Sequence, residues 1–166
     1  MNGAGIRSVS KADLDAVRIL NEGAVPNVNS VSSETLERFV QQAAYFRVVV
    51  SGDAVAAFLV GFTPGADYAS ENYRWFCRRY REFFYIDRVA VGPQHRGKKF
   101  ALALYRDVER LAMAPMLACE VNLEPPNSRS MEFHRRFGFR QVDTQKTEGG
   151  AKTVSLMVKP LAVTVV

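Results

Sequence analysis

Apolar positions along the chain follow two periods, one near 3.6 and one of 2, and their succession predicts a mixed order of helices and strands. Ser10 and Asp13 form an N-capping pair, and Leu14, Val17 and Leu20 follow at helical spacing until Gly23 and Pro26 stop the run. A second short helix is expected over Ser33–Ala43. Tyr45–Val50 and Ala54–Phe62 are β-rich runs on either side of the polar Ser51-Gly52-Asp53, the pattern of a hairpin. Phe83–Val91 is aromatic and β-branched, which predicts a further strand, and Gly92-Pro93 ends it.

From Lys99 onward Ala101, Leu104, Tyr105, Val108, Leu111 and Ala112 repeat at helical intervals up to Pro115, giving an amphipathic helix with one face for a sheet. Met116–Leu123 reads as a strand, Pro125-Pro126 as a break, and Asn127–Phe137 as a helix with Phe133 and Phe137 one turn apart and Gly138 at its end. Phe139–Val142 and Thr153–Val158 are the last strands, on either side of a turn at Glu148-Gly149-Gly150. The sum is an α/β (α+β) chain with a mixed central sheet flanked by helices and a strand–turn–helix–strand crossover. Ala66–Phe83 is a longer connection than a hairpin needs, and a loop of that length is expected to serve as a lid or acceptor pocket. Within it Tyr73, Phe76 and Tyr80 recur at near-helical spacing, which also suits packing on the sheet.

Composition narrows the class. The 166 residues are 48% hydrophobic and 23% charged, without repeat, low-complexity tract or linker, so residues 1–166 are expected to form one domain. No apolar run approaches the roughly 20 residues of a membrane span, and Met1–Ser10 lacks the apolar core of a signal peptide, which favours a cytoplasmic protein. Cys77 and Cys119 stand far apart with no CxxC pair, so neither a disulfide framework nor a metal site is expected, and both thiols are placed in or near the core. The apolar tail Leu161–Val166 offers a sheet edge of its own or a homodimer contact. The net charge of +5 favours anionic partners, with basic residues gathered at Arg74–Arg81, Arg96–Lys99 and Arg129–Arg140.

The segment Val89–Leu102, VAVGPQHRGKKFAL, carries the strongest chemical signal. A strand that ends in a Gly-containing turn and opens directly into a helix leaves backbone N–H groups pointing at one place, the makings of a phosphate nest. Gly97 permits close approach of a ligand, and Arg96, Lys98 and Lys99 add positive charge. GxxxxGK[ST] and GxGxxG are both absent, which leaves pyrophosphate binding without nucleoside triphosphatase or dinucleotide chemistry.

VAVGPQHRGKKFALALY, followed about thirty residues on by NSRSMEFHRRFGF, resembles the acetyl-CoA-binding core of the GNAT acetyltransferase superfamily. The resemblance implies the single-domain GNAT fold. Its [QR]-x-x-G-x-[GA] turn appears here as Gln94-x-x-Gly97-x-Lys99, with Lys99 where Gly or Ala is usual. It further implies that the backbone of Val89, Ala90 and Val91 pairs with the pantetheine arm in the manner of an added strand, at an edge opened where Phe83–Val91 and Met116–Leu123 separate. By the same resemblance Gln94, Arg96, Gly97, Lys98, Lys99, Phe100, Ala101 and Leu102 hold the pyrophosphate, and Asn127 contacts the cofactor as well as being a good helix cap.

Acetyl transfer to an amine needs a base for the amine and benefits from a proton donor to the leaving thiolate. Asp87, an ionisable residue in the otherwise apolar FFYIDRVAV, is the first candidate for the base, with pairing to Arg88 or to Arg74–Arg81 as its structural alternative. Glu120 is a second carboxylate, whose direction depends on strand parity and on any bulge. His134 stands where many relatives carry a tyrosine acid, and its alternative is a helix-surface histidine bonded to Ser130. Tyr85 and Tyr105 rank below it as donors. The expected activity is transfer of acetyl from acetyl-CoA to a primary amine by direct attack in a ternary complex. The rivals are a non-catalytic acetyl-CoA-binding module and, further off, a nucleic-acid-binding domain using Arg74–Arg81. The acceptor is a small molecule or a peptide, and Arg74, Arg78 and Arg81 suit an acceptor carboxylate.

Overall fold

A computed structural model describes residues 3–162. Among the described residues seven strands, numbered β1 to β7 in chain order with the ranges given below, pair in the order β1-β2-β3-β4-β5-β7-β6. The described residues fall into two compact units, one reaching to Phe62 and including Arg88–Ala112, the other made of Thr63–Asp87 and the chain from Met113 onward. Among the described residues no helix is long and apolar enough to cross a membrane.

The first unit contains β1 (Gly5–Ser8), α1 (Leu14–Ala24), α2 (Ser33–Gln42), β2 (Tyr45–Ser51), β3 (Ala54–Phe62) and α4 (Phe100–Leu111). β2 and β3 form the expected hairpin around Gly52, whose φ of +63° is the left-handed conformation that the tight turn requires. β1 adds to β2 antiparallel, a strand the apolar pattern does not announce because only Ile6 in it is even partly covered. Of the expected helical stripes, Leu14 and Val17 of α1 and Leu104, Tyr105 and Val108 of α4 are buried, Leu20, Ala101 and Ala112 are half-buried and Leu111 is exposed, while α2 buries Leu36 and Phe39. α4 is also tied to β2 by polar contacts, since Asp107 accepts from the Tyr45 hydroxyl at 2.9 Å, from Arg47 at 3.1 Å and from Arg110 at 2.7 Å. Burial alone would push the Asp107 carboxyl up, but the Arg110 and Tyr45 hydrogen bonds and the Arg47 charge hold it below its ordinary value.

The second unit contains α3 (Glu71–Arg79), β5 (Met116–Glu124), α5 (Ser128–Phe137), β6 (Arg140–Thr147) and β7 (Lys152–Pro160). β4 (Phe84–Val91) passes from the second unit into the first between Asp87 and Arg88. β5 and β7 pair antiparallel from Met116↔Pro160 to Glu124↔Thr153, and β6 covers the other edge of β7. β4 and β5 run parallel, paired at Phe84↔Leu117 and Tyr85↔Ala118, while β4 continues to Val91 and β5 to Glu124.

The expected loop over Ala66–Phe83 instead carries a helix. Ser70 caps α3 by accepting from the Tyr73 N–H at 3.2 Å, Glu71 lies in the first turn and Arg78 and Arg79 in the last, each sign suited to its end of the helix dipole. Its buried face, Tyr73 and Phe76, packs its rings against Tyr85 at 5.5 and 5.8 Å and against Phe83 at 6.2 and 5.9 Å. Aromatic pairs of this kind stabilise by about 0.5–1.5 kcal/mol each beyond their buried area. Cys119 is buried as expected, but Cys77, one turn beyond Tyr73 on α3, is exposed. Leu161 donates its N–H to the Pro115 carbonyl at 2.8 Å, and the rest of the tail expected at a sheet edge or dimer contact lies, from residue 163, outside the described residues.

Candidate functional site

The turn between β4 and α4 is built from backbone outward. Gly92 donates to the Ala56 carbonyl at 2.8 Å, and a Cβ on it would stand 3.2 Å from Leu20 and 3.3 Å from His95, so a larger residue would need both side chains to give by a few tenths of an ångström. Pro93–His95 makes one 3-10 turn, and Gly97 follows with φ +81° and nothing within 4 Å of where its Cβ would be. Lys99 precedes α4 with φ 62° and ψ 26°, and no side chain caps the helix. The backbone N–H groups of Phe100, Ala101 and Leu102 therefore lack intrahelical acceptors, and they lie beside a glycine with open space over it. Arg96, Lys98 and Lys99 are exposed around them, whereas Ala90 is buried and Val89 and Val91 are half-buried on the strand. A recess of about 350 Å³ opens at the same turn, lined by Lys98, Lys99, Phe100 and Arg106 together with Gly5 and Val49. This arrangement fits a pyrophosphate: backbone donors, a helix start and mobile cations with no acidic side chain in the turn.

The second unit holds the candidate proton-transfer groups. Asp87 accepts a short hydrogen bond from the Tyr68 hydroxyl. Arg88, weighed as a structural partner for it, bonds the Asn21 side chain at 3.0 Å and the Asn29 carbonyl at 3.2 Å and lies over the Phe39 ring. Glu120 accepts from the Tyr85 hydroxyl at 2.6 Å, and the β5 bulge falls beyond it, between Asn122 and Glu124, so strand parity at Glu120 is undisturbed. Burial pushes the Tyr85 hydroxyl well up, helped by the charges of Glu120 and Asp87, so it stays a donor. Tyr68, Tyr73 and Tyr85 form a row of rings 5.5 Å apart at each step. The Tyr73 hydroxyl donates to the Thr63 carbonyl at 2.7 Å, and burial raises it to about 12.

His134 is buried rather than on the helix surface, at 4% exposure. Its Nδ1 lies 2.7 Å from the Ser130 carbonyl and 3.2 Å from the Ser130 hydroxyl. A carbonyl only accepts, so Nδ1 carries the proton and the lone pair of the neutral ring is on Nε2. Burial lowers the His134 pKa, against the opposing pull of the Ser130 carbonyl. Asn127 caps α5, accepting from the Ser130 N–H at 3.3 Å. Tyr105, the other tyrosine weighed as a donor, is buried on α4 in the first unit.

The sequence profile of the Acetyltransferase (GNAT) family matches residues 16–139. The chain belongs to the GNAT acetyltransferase family. No curated protein matches it. Among solved structures, Ard1 from Thermoplasma volcanium superposes with a TM-score of 0.78 at 16% identity, over 96% of this chain and 98% of that one. The ribosomal-protein-S18-alanine N-acetyltransferase of Escherichia coli gives 0.70 at 16% identity, over 97% and 96%. Salmonella typhimurium yncA, solved with its cofactor acetyl-CoA, gives 0.72 at 17% identity, over 99% and 97%. The seven-stranded mixed sheet with its helices is thus a GNAT fold, and the protein is an acetyl-CoA-dependent N-acetyltransferase.

Within this GNAT chain the turn residues Gln94–Leu102 lie together in the first unit, and Asp87, Asn127 and His134 lie in the second. Tyr68 was not singled out by the sequence, and its only advance signal was its place in the long aromatic connection before β4. Asn122 also escaped notice. It is buried at 8% exposure with its Nδ2 enclosed and without a hydrogen-bond partner.

Proposed function

We propose that the enzyme moves the acetyl group of acetyl-CoA to a primary amine by direct attack in a ternary complex. Acetyl-CoA supplies an activated acyl carbon: the new N–C bond forms as the C–S bond breaks, the amine gives up its proton, and free thiol and acetamide leave. The amides of Gly97, Phe100, Ala101 and Leu102, with Gln94, Arg96, Lys98 and Lys99, would hold the pyrophosphate, and the backbone of Val89, Ala90 and Val91 with Asn127 would align the arm. Asp87 takes the proton of the attacking ammonium, held in place by the Tyr68 hydroxyl. His134 enters neutral with Nδ1 occupied by Ser130, so its Nε2 takes the second proton that the amine nitrogen sheds as the N–C bond forms and passes it to the departing sulfur.

The observation that carries this reading is the tyrosine-held Asp87 on the same strand that leads into the uncapped start of α4. Direct attack is favoured over an acetyl-cysteine step because Cys119 is enclosed and its thiol is pushed well up by burial and by the charge of Glu120. The test is a thermal-shift titration with acetyl-CoA followed by free-thiol release across a panel of amines. Saturable stabilisation with amine-dependent thiol release is expected. Stabilisation without release from any amine would leave a cofactor-binding protein and reject the transfer reading.

A further inference from the structure

Between the end of β4 and the start of α4, Pro93, Gln94, Arg96, Lys98 and Lys99 are all exposed, and His95 is the one side chain turned inward, at 9% exposure. Its backbone N–H donates to the Gly92 carbonyl at 2.9 Å, and its carbonyl accepts from the Lys98 N–H at 3.4 Å. Its ring lies 6.0 Å from the ring of Phe100, the first residue of α4, and its Cδ2 is 3.3 Å from where a Cβ on Gly92 would be. Strand end, turn and helix start thus close on one imidazole.

The second observation is the Nδ1 of that ring, which is enclosed and has no hydrogen-bond partner. Among the described residues no carboxylate pairs with the ring. Charged groups on the neighbouring elements are engaged elsewhere: Glu22 of α1 with Ser30 and Val31, Arg88 of β4 with Asn21 and Asn29, and Asp107 of α4 with Tyr45 and Arg47, while β3 carries none. The charges nearest along the chain are the cations Arg96, Lys98 and Lys99. A neutral imidazole meets such a place with its proton on Nε2 and a bare lone pair on Nδ1. An imidazolium needs a donor at Nδ1, and an enclosed charged donor without an acceptor costs far more than an unmet lone pair. The closed turn therefore disfavours the proton.

We infer that His95 is the positioning residue of the nest and acts as the neutral imidazole, so that acetyl-CoA binding weakens as acid charges it. This rests on the reading above that the turn holds the pyrophosphate. The sign follows from linkage: the cofactor takes the closed turn, the proton takes a loosened one, and each opposes the other. In a loosened turn the imidazole meets water and titrates at about 6.5, as an exposed histidine does. At about pH 5.5 it is then neutral roughly one time in eleven, so Kd for acetyl-CoA should be about tenfold higher than at about pH 7.5.

The experiment measures acetyl-CoA binding to the full chain by calorimetry across this pH range, for the unaltered protein, His95→Phe and His95→Gln. Both variants lose the titrating ring, and phenylalanine keeps an apolar body beside Phe100. The pH response left in the variants belongs to the cofactor's own phosphates and to other groups, and the unaltered protein is expected to exceed it by about tenfold in Kd. An equal response in the unaltered protein and a folded His95 variant overturns the inference. So does binding that tightens in acid and loses this in the variants, which would make His95 one more cation of the nest. Gly97→Val tells the two readings apart. If it still binds acetyl-CoA, the turn does not hold the pyrophosphate; if it does not, an unchanged pH response in the His95 variants rejects His95 alone. Should neither His95 variant fold, the ring signals of the chain's two histidines are followed by NMR, His95 being the one that His134→Gln retains. With acetyl-CoA bound that signal should protonate at lower pH than without it, and an unmoved or raised midpoint rejects the inference.

Discussion

Lys99 is a lysine in a glycine's conformation. Its φ of 62° and ψ of 26° place it in the left-handed region, at the last residue before α4 and at the position where the GNAT turn usually has Gly or Ala. A Cβ there costs about 1–2 kcal/mol relative to the right-handed form. Lys99→Gly removes that strain but gives the unfolded chain more freedom, which takes back about 0.5–1 kcal/mol. The side chain is exposed, so little packing is lost. The expected net gain spans about 0–1.5 kcal/mol and centres near 0.75 kcal/mol, which for a chain of this size raises Tm by roughly 1.5–3 °C at the centre. Lys99→Ala is the control, since it removes the same charge and keeps the Cβ, and it should show no gain. Both variants and the unaltered protein are compared by thermal unfolding without ligand. If Lys99→Gly is no more stable than Lys99→Ala, the left-handed residue carries no strain and the account of this turn is wrong.

Gly97→Val puts a β-branched side chain at φ +81° and into the open space over the nest, so acetyl-CoA should no longer shift Tm at concentrations that saturate the unaltered enzyme. Asp87→Asn should lower kcat by about a hundredfold or more while acetyl-CoA still stabilises the fold, and full activity in that variant would remove Asp87 as the base. His134 is lowered by burial, so above about pH 6.5 it is neutral in both states, and as the pH falls below that value the unfolded chain takes a proton that the folded one resists. Stability should therefore fall with acidification through that range, and His134→Gln should flatten this part of the Tm–pH curve. An unchanged slope would mean that another group titrates there.

Elements with a dense apolar run or a clear helical stripe were legible: the β2–β3 hairpin, β4, α4 and α5 lie within a few residues of where their patterns put them. α3 was hidden because its buried face is only Tyr73 and Phe76, set among arginines, so that over a short span the pattern resembles a polar loop. β1 was hidden because its pairing is backbone to backbone and its side chains are largely exposed. The phosphate-nest turn was readable because glycine and cations betray backbone geometry locally. Tyr68 and Asn122 were not, because each stands out through what lies across from it: a carboxylate nineteen positions away for one, the lack of any partner for the other. Pairings between distant residues are properties of the folded sheet.

The division of α3 into an inner aromatic face and an outer polar one gives the enzyme a built-in place for a reporter. Cys77 is exposed on that helix, one turn from Tyr73, while Cys119 is enclosed in β5. A thiol-reactive fluorophore would therefore attach to the unaltered protein at a single known position. Its signal would come from the helix that contributes Tyr73 to the tyrosine row, so a change in that helix's surroundings when cofactor or amine is added becomes observable in real time, with Asp87, His134 and the turn residues left unaltered.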